Sequence, residues 1–244
     1  MKRPLLTSLL CIILASASGQ EKRPHNIPGF DYKKLHFGFT VGLNVMDFGF
    51  ERDTTSAPFL YADVPVIHPG FQVSIVSDLR LNDHFNLRFL PGISFGWRDI
   101  AFYEEEGSQW INAYPDKPEK PNSPVRVGPA FLDFPLHVKY RSIRDNNYRP
   151  YLVGGLNFRY DMAAKKAFDG DSRDYIRLNA ADLYLELGFG VDTYLRYFKF
   201  APEIKVAMGL NNMIADEARP PYPEFRNSIS FLRSYIIMLN FHFE

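Results

Sequence analysis

Apolar and polar residues alternate strictly over segments of about ten residues, and no other feature constrains this chain as much. From Leu35 the odd positions read Leu35, Phe37, Phe39, Val41, Leu43 and Val45. The even positions read His36, Gly38, Thr40, Gly42 and Asn44. A period of two is the mark of a β-strand whose two faces meet different surroundings. Seven more segments carry it: 71–75, 85–98, 132–141, 148–161, 182–192, 198–210 and 235–243. Eight strands are therefore expected. The segments between them alternate in length: 46–69 is long, 81–84 short, 99–127 long and Pro-rich, 142–147 short, 162–180 long, 193–197 short and 211–228 long. Long external loops and short periplasmic turns are the pattern of a transmembrane barrel. The fold expected is all-β, an eight-stranded antiparallel up-and-down transmembrane β-barrel.

Composition narrows the alternatives. The chain has 244 residues, 28 Lys plus Arg against 28 Asp plus Glu, and 16% aromatic residues. No excess of positive charge offers a nucleic-acid footprint. No stretch approaches the roughly 18 apolar residues of a membrane-spanning helix. The chain is either a soluble barrel with its apolar face inward or a membrane barrel with that face outward. Glycine placement favours the second. Gly38, Gly42, Gly92, Gly96, Gly188, Gly190 and Gly209 all lie on polar faces. Glycine weakens a solvent-facing strand, but it makes room inside a barrel of only eight strands. Pro91, Pro135 and Pro202 fall within expected strands, where bulges or breaks are anticipated.

The chain begins with a secretory signal: Lys2 and Arg3, an apolar core over 5–14, and small residues Ala15, Ser16 and Ala17. Residues 1–19 are expected to be cleaved, with the cut between Ala17 and Gly19. That removes Cys11, the sole cysteine. Residues 20–34 form a periplasmic N-terminal segment, and 35–244 the outer-membrane barrel.

An inward polar face would hold Arg88, Asp133, Lys139, Arg159, Asp161, Asp182, Glu186, Glu203 and Lys205, together with Arg98, Arg141, Lys199 and Asp192. Confined charges must pair, so a salt-bridged plug is expected rather than an ion path. Catalytic signatures are absent from the sequence. The six histidines form no closely spaced pair, and neither HExxH nor GxSxG occurs. No cofactor, metal or small-molecule substrate is expected. The run Glu104-Glu105-Glu106 and the Pro-rich stretch read as solvated loop. The one surface singled out for a partner is the short charged turn with Arg144, Asp145, Asn146, Asn147 and Arg149, which an ordinary polar turn also explains.

Residues 134–155 read FPLHVKYRSIRDNNYRPYLVGG. Upstream come LHFGFTVGLN (35–44), GFQVSIVSDL (70–79) and LRFLPGISF (87–95). These segments resemble the PorT (SprT) family of outer-membrane barrel proteins. The resemblance spans about Leu35 to Phe243, and its most specific block is FPLHVKYRS with RPYLVGG. The tail from Tyr235 resembles the aromatic-ended signal read by barrel-assembly machinery, except that Glu244 follows the final Phe243. The resemblance implies a non-enzymatic component or assembly factor of the type IX secretion system. That system exports proteins with a C-terminal signal domain, such as secreted proteases and adhesins of gliding motility, and has been tied to virulence. The implied partners are outer-membrane lipid and other secretion components. Two rival expectations remain: a structural or adhesive barrel with partner-binding loops, and an outer-membrane lipid-modifying enzyme.

Overall fold

A computed structural model of the protein describes residues 25–53, 55, 60–106, 109–112, 125–164, 178–215 and 227–244. The expected signal segment 1–19 lies outside the described residues. A short 3-10 turn, Phe30–Tyr32, precedes the strands. The strands are β1 (Leu35–Arg52), β2 (Leu60–Asp63), β3 (Pro69–Arg80), β4 (Phe85–Phe89), β5 (Gly92–Phe95), β6 (Arg98–Glu106), β7 (Gln109–Asn112), β8 (Val125–Val127), β9 (Ala130–Arg141), β10 (Tyr148–Asp161), β11 (Ala181–Tyr194), β12 (Lys199–Gly209) and β13 (Ile229–Phe243).

Strands β4 and β5 act as one broken strand. With it, the ring runs β1, β3, β4/β5, β9, β10, β11, β12, β13, and every neighbouring pair is antiparallel. The ring closes because β1 pairs on one side with β3 and on the other with β13, Phe39 opposite Phe243 and Arg52 opposite Ile229. Eight strands close into an up-and-down barrel, as the alternation requires.

The apolar face points outward. Phe37 is 65% exposed and Ile75 62%, with Leu187, Ile204 and Ile237 also more than half exposed. The facing polar residues, Thr40, Asn44, Arg88, His137 and Glu186 among them, are buried. A soluble barrel would show the reverse. Glycines admit the large interior groups: a Cβ on Gly190 would land on the Tyr151 ring.

The structure corrects three sequence readings. First, β1 runs on to Arg52 instead of ending near Val45. At that level the faces exchange polarity. Met46 and Phe48 turn inward and are buried, while Glu51 turns outward. A strand leaving lipid for water must invert its pattern, so the alternation appeared to stop where it only changed sign. Second, the segments 46–69 and 99–127 are not simple loops. They carry β2, β6, β7 and β8, with β6 pairing β2, β7 and β8. Third, the prolines behave unequally. Pro91 separates β4 from β5 without shifting register. Pro135 stays in continuous register opposite Asn157, whose Oδ1 accepts from Phe134 N at 3.0 Å. Pro202 interrupts the β11–β12 ladder between Gly190↔Glu203 and Thr193↔Phe200, again without a bulge. The bulge that does occur lies at Glu51/Arg52 against β13.

An apolar cluster of Phe48, Ala62, Ile100, Phe102, Met213, Ile214, Ile229 and Leu232 caps the long-loop end. Below it, Met46, Phe131, Tyr184, Ala207, Ile236 and Met238 fill the top of the lumen. Among the described residues no helix is long and apolar enough to cross a membrane.

Candidate functional site

Two regions gather the chemistry-bearing side chains: the lumen and the mouth at the short-turn end. Each lumen residue comes from the inward-facing, polar row of an alternating strand, so strand register fixes its height. Glu186 of β11 is the hub. Its carboxylate meets Lys205 Nζ at 2.6 Å, His137 Nε2 at 2.8 Å and Arg159 Nη2 at 3.1 Å, and it accepts from Asn157 Nδ2 at 2.7 Å. Arg159 also reaches Asp133 at 3.0 Å.

A second group lies nearer the turns. Arg88 pairs with Asp78 and Glu203, each at 3.2 Å, and with Glu244 at 3.6 Å. The Tyr151 hydroxyl donates to Glu203 at 2.9 Å. Lys139 grips both oxygens of Asp192 at 2.7 and 2.8 Å, and Lys199 holds Glu244 at 2.7 Å. His242 lies 3.3 Å from Glu203 and 2.6 Å from Thr40 Oγ1.

Of the nine charges expected in the lumen network, Arg88, Asp133, Lys139, Arg159, Glu186, Glu203 and Lys205 stand in it. Asp161 and Asp182 do not, although both are buried. Asp161 accepts from Ala130 N at 3.1 Å and Ala163 N at 2.8 Å, and Asp182 from Leu183 N at 2.8 Å and Asn211 N at 3.2 Å. They tie down backbone at the loop rim and make no ion pair among the described residues. Alternation missed Asp78, because its strand was read only as far as Ile75, and Glu244, because it follows the apparent end of β13.

Packing leaves the lumen little space. Arg88, Arg98, Arg159, Tyr151, Tyr184, Tyr194 and Lys139 are all essentially inaccessible. A pocket of about 20 Å³, little more than room for a water, borders Thr40, Gln72, Asp133 and His242. Arg98 near the top donates to Ser234 at 2.6 Å and lies 3.9 Å from the Phe48 ring centroid, beneath the apolar cap.

At the other end, the turn 142–149 is a tight hairpin. Asp145 and Tyr148 exchange both backbone hydrogen bonds at 2.9 Å, and Asn146 takes φ 53°. Asparagine tolerates that left-handed conformation. The arginines of this turn are already engaged. Arg144 Nη1 meets Asp31 at 3.0 Å, and Arg149 Nη1 meets the same carboxylate at 3.1 Å. Arg149 also donates to the carbonyls of Ser142 at 2.7 Å and Asp83 at 2.6 Å. Asn147 Oδ1 accepts from Asn26 N at 2.8 Å. Asp145 and Asn146 serve the hairpin backbone, Asn146 O accepting from Arg144 Nε at 2.8 Å. Burial disfavours the ionised Asp31. The Tyr194 hydroxyl at 2.7 Å and the two arginines outweigh it, and its carboxyl is held below the usual 3.8. Nothing in the periodicity pointed to Asp31, which precedes the first strand.

No group of three or more metal-ligating side chains occurs among the described residues. No curated protein sequence matches the chain. Two solved barrels are similar in fold: Neisserial surface protein A (NspA), at 13% identity, 86% of this chain, 98% of that one and TM-score 0.39; and OprG of Pseudomonas aeruginosa, at 12% identity, 91% of this chain, 96% of that one and TM-score 0.45. A family model described as an outer membrane protein beta-barrel domain matches residues 18–215. With its closed ring, outward apolar face and polar interior, the chain belongs to that outer-membrane β-barrel family and resides in the outer membrane.

Proposed function

We propose that the protein is a non-enzymatic accessory component of the type IX secretion system, of the PorT family, and not itself a conduit. The observation that carries the accessory role is the filled lumen. Buried ion pairs occupy its middle and an apolar cluster its long-loop end. An eight-stranded barrel packed in this way passes neither a folded protein nor a sugar chain. The assignment to type IX secretion is supported by the FPLHVKYRS and RPYLVGG segments, which lie in β9 and β10, flank the arginine-bearing turn and so pair with each other. No catalytic step is assigned to any residue.

The experiment is a clean deletion with plasmid complementation, followed by proteomics of periplasm, outer membrane and medium. Proteins with the C-terminal signal domain should accumulate in the periplasm while other outer-membrane proteins keep their abundance. Intact secretion would overturn the role. An altered lipid profile instead would favour a lipid-modifying enzyme. A binding defect with normal export would favour an adhesive barrel. That last reading draws on the external strands β2, β6 and β7, which stand outside the ring.

A further inference from the structure

Residues 26–34 lie across the short-turn mouth without adding a strand to the barrel, and their contacts are those of a bound peptide. At Asn26 the backbone is read on both sides: its N–H donates to Asn147 Oδ1 at 2.8 Å, and its carbonyl accepts from Arg144 Nη2 at 2.5 Å. The Asn26 side chain donates to Tyr194 O at 3.0 Å. The Phe30 ring stacks on His36 at 4.3 Å, meets the Tyr194 ring edge-on at 6.1 Å, and sits 5.0 Å from Lys199 Nζ. Beside it the Asp31 carboxylate faces Arg144, Arg149 and the Tyr194 hydroxyl.

Two observations mark this occupant as exchangeable and the site as underfilled. None of the three residues of the 3-10 turn is buried, and Tyr32 is 78% exposed. A segment held by few apolar contacts opens locally at little cost. Arg141 is a third arginine at the same carboxylate, but at 3.9 Å, and its buried Nε has no acceptor among the described residues. Three guanidinium groups thus share one carboxylate. The other charges at this mouth are elsewhere committed or outward: Arg80 pairs with Asp83, Lys199 with Glu244, and Lys33 and Lys34 are exposed.

We propose that the short-turn mouth is a peptide-binding site for an aromatic–acidic segment of a periplasmic protein, occupied in cis by residues 26–34. A partner segment with carboxylates on both sides of its aromatic residue would satisfy Arg141 as well as Arg144 and Arg149. Guanidinium groups suit this task because they bind carboxylates in a planar, two-pronged geometry. The proposal rests on the outer-membrane orientation in which short turns face the periplasm. It does not depend on the secretion role.

The test uses the full chain in detergent micelles, wild type and the double variant Phe30→Ala with Asp31→Asn, which keeps the segment but weakens its grip. The probe is a fluorescein-labelled synthetic peptide with the sequence of residues 25–34, read by fluorescence anisotropy. The double variant should bind it at least tenfold more tightly than wild type. A peptide carrying Asn in place of Asp31 should bind at least tenfold more weakly. Adding Arg149→Gln to the double variant should abolish binding while the barrel keeps its heat-modifiable gel mobility. If that triple variant fails to fold, the Asn peptide and added salt carry the same charge test on the double variant. Equal binding by wild type and double variant, or equal binding of both peptides, would overturn the proposal. So would full competition by millimolar inorganic phosphate or by anionic phospholipid vesicles, since either would reduce the mouth to a plain anion site. Peptide binding together with normal secretion in the deletion strain would keep this site and discard the secretion role. The opposite pair of results would do the reverse.

Discussion

Glu186 faces His137, Arg159, Lys205 and the Asn157 amide, and removing it leaves several buried donors with no acceptor. Breaking one partner out of a buried ion network costs about 3–5 kcal/mol. Glu186→Ala should therefore lower the urea midpoint of the purified barrel strongly, and Glu186→Gln should do so less because it still accepts hydrogen bonds. Asp31 gives a prediction with a sign. Its carboxyl is held below the usual 3.8 by Tyr194, Arg144 and Arg149 against the cost of burial. Its grip on the mouth is complete above 3.8 and is lost as pH falls through the lowered value. A fluorophore on Gly29→Cys, a position where an added Cβ meets nothing within 4 Å, reports this directly. Anisotropy should fall as the solution is acidified below 3.8, and the Asp31→Asn variant should start low and stay flat. The two carboxylates were unequally legible in the sequence. Glu186 lies at an even position of a clean alternating strand, which announces an inward charge. Asp31 has no periodic context, and its partners Arg144 and Arg149 are 113 and 118 residues away.

At the scale of the strand, the informative point is where polarity inverts. On β13 the outward row is Phe231, Arg233, Tyr235, Ile237 and Leu239, and its lower members are lipid-facing. Leu239→Arg should destabilise the barrel by about 2–4 kcal/mol, the cost of a cation on the lipid face at depth. Phe231→Arg on the same row, opposite Glu51, should cost no more than about 1 kcal/mol. Paired unfolding titrations in lipid vesicles check both. Similar penalties at the two positions would move the membrane boundary up the strand. This inversion explains why the sequence reading stopped β1 at Val45 and left the external strands as loops. Alternation identifies a strand only while one side stays apolar. Where Met46 and Phe48 turn inward and Glu51 outward, the same backbone conformation carries the opposite pattern.

For the whole molecule, the strand count and the short-turn positions were legible because lipid outside and charge inside impose one rule on all eight strands. Their lengths were not, because 18 residues of β1 rise roughly 45 Å at about 3.3 Å each and a tilt near 40°, against an apolar band of about 25 Å. The extra height belongs to water and follows soluble-protein rules. A lumen filled with ion pairs should not conduct: purified protein in a planar bilayer should show no porin-like steps in 1 M KCl, and large steady conductance would contradict the plug. The seam between β1 and β13 adds a consequence in time. The first strand of the ring takes its second neighbour from the last, with Phe39 opposite Phe243. Every other contact can form as chain is supplied, but until residue 243 arrives β1 keeps one row of backbone groups unmet. In a bilayer such an edge is costly. The last pairing therefore gains the most: when β13 meets β1, both unmet rows are satisfied in a single step.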